Sequence, residues 1–159
     1  MSESSLSRFV DAQGGGEFES ALAEMKAGRK RSHWIWYIFP QLSGLGTSHM
    51  SQTYAIRDRD EAVAYLHHPL LSARLLKIAR AAAEHLRQGA SIDRLMGSSI
   101  DAEKLVSSMT LFADVARRLP AGLKSADIDA LADEAEAILG AASSQGYPPC
   151  RHTRSHLSE

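Results

Sequence analysis

The chain has 159 residues, with 18 Lys and Arg side chains against 19 Asp and Glu, so its formal net charge is -1. Hydrophobic residues make up 44% and charged residues 23% of the chain, a balance that excludes collagen-like, disordered and strongly charged proteins. The length is sufficient for one domain with a substantial core. Because the sequence pI is about 6.7, we expect no nucleic-acid partner, since nucleic-acid binders carry a clear basic excess.

The sequence carries no membrane or export signal that we recognise. No apolar run approaches the roughly 20 residues that cross a bilayer, and residues 1–5 have neither a cationic start nor an apolar run. We therefore expect no membrane association and a cytoplasmic location. Cys150, His152 and His156 are close in sequence, but one short run would have to supply nearly all four ligands of a zinc site. The sequence thus predicts no metal and no cofactor.

The first elements in chain order are two short helices. Each carries apolar residues at helical spacing: Leu6, Phe9 and Val10 in the first, and Phe18, Leu22 and Met25 in the second. Three consecutive glycines that begin at Gly14 end the first helix, and Gly28 ends the second, because glycine adopts the left-handed conformation that closes a helix.

Two further helices are predicted in the middle of the chain. One lies between Asp58 and His67, with Asp58 or Asp60 as its N-cap. The next begins at Pro69, where the missing N–H group of proline costs little. Its apolar stripe repeats at steps of three or four residues: Leu71, Leu75, Ile78, Ala82 and Leu86.

The last two predicted helices complete the expected architecture. One starts near Ser98–Asp101 and stops at Pro120, with an apolar stripe of Leu105, Met109, Phe112, Ala116 and Leu119. The other follows Ser125 and ends at Gly140, with Ile128, Leu131, Ala135 and Ile138 on one face. The sequence therefore predicts an all-α, compact single-domain bundle of six or seven helices over residues 1–140. A flexible C-terminal tail is predicted over residues 141–159.

Residues 26–41 differ from this amphipathic pattern. Four of the chain's aromatic residues lie between Trp34 and Phe39, directly after the basic residues Arg29, Lys30 and Arg31. This pattern is typical of a site for a planar anionic ligand, because cationic groups bind a phosphate while a ring stacks. The alternative is structural, with the rings in the core and the bases at the C-terminal end of the preceding helix.

Six blocks of sequence between residues 6 and 113 form a recognisable set: Phe9–Gln13, Arg29–Gln41, Gly44–Ser48, Tyr54–Ile56, Glu61–Pro69 and Lys104–Phe112. Together they resemble a bacterial family catalogued as domain of unknown function 1810, sometimes labelled calpastatin-like. The resemblance implies a small, mostly helical cytoplasmic protein, and it implies no established reaction, cofactor or catalytic residue. Residues 113–140 lack the aromatic residues expected of relatives, so we expect the C-terminal third to pack differently.

Twelve residues are candidates for a ligand site: Arg29, Lys30, Arg31, Ser32, His33, Trp34, Trp36, Gln41, Ser48, Tyr54, Ser108 and Thr110. The three bases would neutralise charge, one tryptophan would stack, and His33 is the candidate for proton transfer. The sequence thus predicts a pocket for a nucleotide-like or phosphorylated small molecule, and whether the protein is an enzyme stays open. The alternative is a non-catalytic protein-interaction or homodimerisation module, with exposed aromatic residues as anchors.

The geometry of the polar candidates distinguishes these two hypotheses. A pocket requires His33, Gln41, Tyr54 and either Ser108 or Thr110 to converge on a concave space beside an indole. An interface requires the same groups to be dispersed and an apolar patch of several hundred Å² to lie on the surface.

Overall fold

A computed structural model describes residues 2–158 of the chain. Within this range there are ten α-helices: α1 (Ser2–Gln13), α2 (Glu17–Lys26), α3 (Ile35–Ile38), α4 (His49–Thr53), α5 (Arg59–His67), α6 (Pro69–Arg87), α7 (Ile92–Met96), α8 (Ser99–Arg118), α9 (Ala126–Ser144) and α10 (Arg151–Leu157). A short 3₁₀ helix, Ala121–Leu123, precedes α9. The β structure in the described range is one isolated bridge between Leu42 and Ile56. The all-α prediction is confirmed.

Three long helices, α6, α8 and α9, form the centre of the molecule, and α9 packs against both of the others. Their ends follow the predicted signals. Pro69 lies in the first turn of α6. The hydroxyls of Ser98 and Ser125 each accept a backbone hydrogen bond at 3.1 Å, from the N–H groups of Asp101 and Ile128. The apolar stripes predicted on these helices are buried, so the 3.6-residue period correctly identified the core-facing sides.

The number of helices exceeds the predicted six or seven. Three of the additional helices, α3, α4 and α7, have only four or five residues each. An element of this length shows less than two helical turns, so its apolar residues cannot display a periodic stripe. Isolated helices this short are also unstable in water, and packing against the rest of the protein stabilises them.

The predicted end of α9 at Gly140 is wrong, because the helix continues to Ser144. A glycine inside a helix costs about 1 kcal/mol relative to alanine, and the alanines that follow it, Ala141 and Ala142, favour continuation of the helix. The chain leaves the helix only before Gly146, whose φ of 96° lies in the left-handed region.

Residues 141–158, which belong to the predicted C-terminal tail, include helical structure. Part of this segment is α10, which packs on α8 with Thr153 and Leu157 buried. The backbone N–H of Cys150 donates to Thr110 Oγ1 at 3.1 Å, which anchors the start of α10. The two buried residues are four positions apart on a helix of seven residues, a pattern too short to separate from that of a disordered tail.

The turn between α2 and α3 is fixed by one carboxylate, that of Glu24. It accepts hydrogen bonds from the backbone N–H groups of Arg31 (2.8 Å) and Ser32 (3.0 Å), from Ser32 Oγ (2.6 Å) and from Trp34 Nε1 (2.9 Å). Burial alone would raise the pKa of this carboxyl group, but the four hydrogen bonds outweigh burial and lower the pKa to about 2. Glu24 therefore determines how the aromatic segment begins.

Replacing Glu24 with Gln should lower the free energy of unfolding by about 1–2 kcal/mol at pH 7, because a neutral amide accepts weaker hydrogen bonds and partial exposure reduces the effect. The carboxyl pKa is about 2 in the folded protein and 4.5 ordinarily, so its stabilisation is complete above pH 4.5 and disappears as the pH falls towards 2. Urea unfolding at pH 7 and pH 3 measures this difference.

The control for this experiment is Glu19→Gln, which alters an exposed carboxylate of the same helix and should change stability by less than about 0.5 kcal/mol. The destabilisation caused by Glu24→Gln should fall by at least half at pH 3. An equal effect of Glu24→Gln at both pH values would contradict the role assigned to the carboxylate.

Candidate functional site

Lys30, a predicted ligand-binding residue, is part of the interior. The side chain is buried, and its Nζ lies 2.8 Å from Asp101 Oδ2 and 5.0 Å from the centre of the Trp34 ring. Its backbone N–H donates to the carbonyl of Leu95 at 2.7 Å. Lys30 thus joins the start of the aromatic segment to the first turn of α8, and its charge is neutralised by Asp101 rather than offered to a ligand.

The other polar candidates around Lys30 lie on the surface. Arg29, Arg31, Ser32 and His33 are exposed, and Ser32 is bonded to Glu24 as described above. None of these four lines the cavity described below. The structure therefore does not bring the candidate proton-transfer residue, His33, together with the other predicted site residues.

The aromatic segment divides between core and cavity. Trp34, Tyr37 and Phe39 are buried, with exposed fractions of 1%, 7% and 1%. Trp36 alone of the four rings is half-buried. The structural alternative is correct for most of this segment, and Trp36 is the ring that remains accessible for stacking.

Trp36 lines a small cavity, which we call the Trp36 cavity. Its walls are formed by seven residues: Ile35, Trp36, Phe39, Gln41, Ser51, Tyr54 and Lys104. The volume is about 10 Å³, roughly the space that one water molecule requires. Three predicted site residues, Trp36, Gln41 and Tyr54, meet here although they lie on separate segments of the chain.

Four residues of the cavity were not selected from the sequence, and two of them are polar: Ser51 and Lys104. The ammonium group of Lys104 lies 3.9 Å from Asp101 Oδ1, which is beyond hydrogen-bond distance, while the other oxygen of Asp101 pairs with Lys30. Among the seven residues that line the cavity, Lys104 carries the positive charge. Lys104 belongs to one of the six sequence blocks, Lys104–Phe112, and this was the available indication of its importance. The packing of α8 against α3, which brings Lys104 to the cavity, could not be predicted from that block.

The two remaining hydroxyl candidates, Ser108 and Thr110, lie on α8 and do not line the cavity. Thr110 Oγ1 donates to the carbonyl of Val106 at 2.7 Å and also accepts the bond from Cys150 described above. It therefore serves the contact between α8 and α10. Ser108 is completely buried and has no hydrogen-bond partner for its Oγ.

The loop before α4 forms one side of the site, and two glycines control its conformation. Gly44 and Gly46 have φ values of 94° and 87°, which other residues rarely adopt. Ser48 then caps α4, accepting the N–H of Ser51 at 3.1 Å and donating to Ser51 Oγ at 2.9 Å. Ser48 is accordingly a structural cap that orients the cavity residue Ser51.

Local contacts around this loop are sparse. α4 has few contacts with the other helices. Gln41 Nε2 donates to the carbonyl of Leu45 at 3.2 Å, and His152 of α10 bonds to the carbonyl of Ser43 at 2.9 Å. A segment with low contact density opens at a lower free-energy cost than the core. The two ends of this segment are bonded to other parts of the protein, the Ser43 N–H to the Ile56 carbonyl at 2.8 Å and the Thr53 carbonyl to Arg8 Nε at 2.9 Å. The low contact density is therefore confined to the residues between them.

A larger cleft of about 600 Å³ lies between the beginnings of α6 and α9. None of the twelve predicted residues lines it. Two of its polar side chains already have partners within the protein: His67 Nε2 bonds to the carbonyl of Leu123 at 2.9 Å, and Ser125 Oγ caps α9. Size alone does not make this open cleft the stronger candidate, since it offers no paired aromatic and cationic groups.

The described residues were also searched for membrane-spanning helices and for groups of metal ligands. Between residues 2 and 158, no helix is both long and apolar enough to cross a membrane. Over the same residues, no group of three or more His, Cys, Asp or Glu side chains is arranged to hold a metal ion. His152 and His156 instead stack on each other, with ring centres 4.1 Å apart.

A family model described as "Protein of unknown function (DUF1810)" matches residues 3–129. The chain belongs to this family. It is also similar to the crystal structure of the conserved hypothetical protein Rv1873 from Mycobacterium tuberculosis at 1.38 Å. The two are 36% identical, the match covers 97% of this chain and 96% of that one, and the TM-score is 0.76. The chain matches none of the curated proteins.

The family match confirms the resemblance inferred from the sequence blocks. All seven residues of the Trp36 cavity lie within the matched range of this DUF1810 protein, whereas α10 lies outside it. The cavity is thus built from the part of the chain that defines the family.

Lys30→Met should lower the free energy of unfolding by about 2–4 kcal/mol, because it leaves the partly buried carboxylate of Asp101 without its closest partner. Arg31→Met removes an exposed base one position away and should change it by less than about 0.5 kcal/mol. Urea unfolding of the two variants tests the structural role of Lys30. Equally small effects would show that the Lys30 charge is dispensable for the fold.

Proposed function

We propose that this DUF1810 protein binds a small anionic molecule with a planar ring, such as a nucleotide or another phosphorylated compound, at the Trp36 cavity. The observation that carries the proposal is the meeting of Trp36, Gln41 and Tyr54 with the cation of Lys104 around one cavity. The first three were selected from the sequence for their chemistry and for their place in the blocks that resemble the family. Gln41 and Tyr54, two of the polar groups that a pocket requires, meet beside this indole, whereas His33, Ser108 and Thr110 do not line the cavity.

Each residue has a role that its chemistry suits. The half-buried indole of Trp36 offers a face on which a planar ring stacks. Lys104 neutralises the negative charge, and its three N–H donors suit phosphate or carboxylate oxygens. The amide of Gln41 and the hydroxyl of Ser51 supply further hydrogen bonds that orient the ligand.

Binding requires the cavity to expand, since a volume of about 10 Å³ admits no ligand larger than water. Residues 44–52 supply the movement, because two glycines and sparse helix contacts make this segment the least constrained wall. The ligand then shifts the population towards an open state that is minor in its absence. Part of the binding free energy offsets the cost of opening, so the affinity depends on how easily this segment moves.

The alternative role, a protein-interaction or homodimerisation module, has weaker support. It requires exposed aromatic anchors, but three of the four clustered rings are buried. In the described part of the chain the exposed large hydrophobic residues are Leu70, Ile100 and Leu123, all outside the aromatic segment. A homodimer, a cytoplasmic location and the lack of a nucleic-acid partner stay predictions from the sequence.

Thermal unfolding with AMP, glucose 6-phosphate and inorganic phosphate tests the proposed function. A ligand present at 100 times its Kd adds about 2.7 kcal/mol of stability, which raises the Tm of a protein of this size by about 5–10 °C. We expect at least AMP to produce such a shift. Lys104→Gln should reduce the shift by at least half, because it removes the charge that neutralises the phosphate.

The matched control is Lys77→Gln, which removes an exposed lysine from the distant helix α6 and should leave the shift unchanged. If none of the three compounds stabilises the wild-type protein, the proposal is wrong. The same conclusion follows if Lys104→Gln and Lys77→Gln respond alike.

A further inference from the structure

Ser108 is an unusual residue in the interior of this protein. Its side chain is completely buried, and its Oγ has no hydrogen-bond partner. The other two hydroxyl side chains in this part of α8 both donate to carbonyls one turn earlier: Ser107 to Glu103 at 3.0 Å and Thr110 to Val106 at 2.7 Å. Leaving a buried hydroxyl unpaired is unfavourable for stability, so Ser108 needs an explanation other than packing.

Ser108 lies one helical turn after Lys104, a residue that lines the Trp36 cavity. Residues four apart share one face of a helix, so Ser108 lies between Lys104, which lines the cavity, and Phe112. The Phe112 ring packs on Tyr65 with ring centres 5.2 Å apart. The short helix α3, which carries Trp36, packs against α8.

The direction of the side chain strengthens this placement. Each Cα–Cβ bond in a helix tilts towards the N-terminus, so the Cβ atom of Ser108 is directed towards the turn that carries Lys104. Because Ser108 does not line the cavity, a ligand group that enters between Trp36 and Lys104 reaches Ser108 only if it moves about one helical turn deeper.

We propose, on the basis of the proposed function, that Ser108 forms the polar floor of the Trp36 site and selects ligands whose buried end is an oxyanion. The Ser108 hydroxyl donates to an oxygen of the phosphate or carboxylate, and the ammonium of Lys104 neutralises its charge. A neutral ligand of the same shape leaves the hydroxyl without a charged acceptor. The hydroxyl without a partner in the unliganded protein is thus a donor held ready for the ligand.

The test compares charged and neutral members of matched pairs. AMP and adenosine differ in the phosphate, and benzoate and benzyl alcohol differ in the carboxylate. Their Kd values are measured by calorimetry with the full chain. In the wild-type protein at least one charged probe should bind tenfold or more tightly than its neutral partner, and the pair that does so identifies the oxyanion. In Ser108→Ala this preference should fall at least tenfold, because charge-assisted hydrogen bonds are strong.

Stability provides an independent measurement on the same variant. Ser108→Ala should raise the Tm of the unliganded protein by a few degrees, because it removes a buried group without a partner. Thr153→Val is the matched control, since Thr153 Oγ1 is also buried and unpaired but lies on α10. It should raise the Tm similarly and leave the preference for charged ligands unchanged. Ser108→Cys, which keeps the volume of the side chain and a weak donor, should retain part of the preference.

The outcomes separate this inference from the proposed function. If the charged probes bind, Lys104→Gln weakens them and Ser108→Ala does not, the role of Ser108 is wrong and the proposed function stands. If no probe binds the wild-type protein, both are wrong. A loss of preference in Ser108→Ala that Thr153→Val shows equally is a general packing effect and overturns the inference.

Discussion

The ion pair between Lys30 and Asp101 is the contact on which the arrangement of this molecule depends most. It attaches the start of the aromatic segment to the first turn of α8 through a 2.8 Å contact, and Glu24 fixes the direction in which the chain leaves that point. From there, Trp36 lies beside Lys104, one turn further along α8. A change of one turn in this register would separate the ring from the cation, so a structural ion pair determines the geometry of the candidate site.

The aromatic segment contributes both to the core and to the candidate site, because three of its four rings are buried and Trp36 is half-buried. Trp34, Tyr37 and Phe39 are buried, and this burial provides much of the hydrophobic stabilisation around α3. Trp36 is left at the boundary between the interior and the loop of residues 43–53. This arrangement combines a rigid wall, made of α3 and α8, with a wall of low contact density. The proposed function requires the second wall to open, because the cavity itself holds only about 10 Å³.

The sequence predicted the long elements well because their physics is local. The stripes of α6, α8 and α9 follow from helical periodicity, and the caps Ser98 and Ser125 follow from the need to satisfy free N–H groups. The short helices α3, α4 and α7 depend on tertiary contacts, so no local sequence pattern predicts them. α10 was not predicted for the same reason, because its buried face consists of only two residues, Thr153 and Leu157.

The candidate site was predicted in part, and the reason is also physical. Trp36, Gln41 and Tyr54 were identified because their chemistry suits ligand binding and they lie in the distinctive blocks. Lys30 has the same chemistry, but its side chain is buried and forms an ion pair with Asp101. The two residues are far apart in the sequence, so this pairing could not be predicted from local patterns. Lys104 became a site residue only through the packing of α8 on α3. Side-chain chemistry was therefore predictable, and the partner of each side chain was not.

The most direct test of the Trp36 site uses the two tryptophans of the chain as separate reporters. In Trp34→Phe, Trp36 is the only indole, and in Trp36→Phe, Trp34 is the only one. Titration with AMP should quench the emission of the first variant saturably, because the adenine ring stacks on Trp36, and should leave the emission of the second unchanged. A saturable change in the emission of Trp34, with none in that of Trp36, would contradict the account.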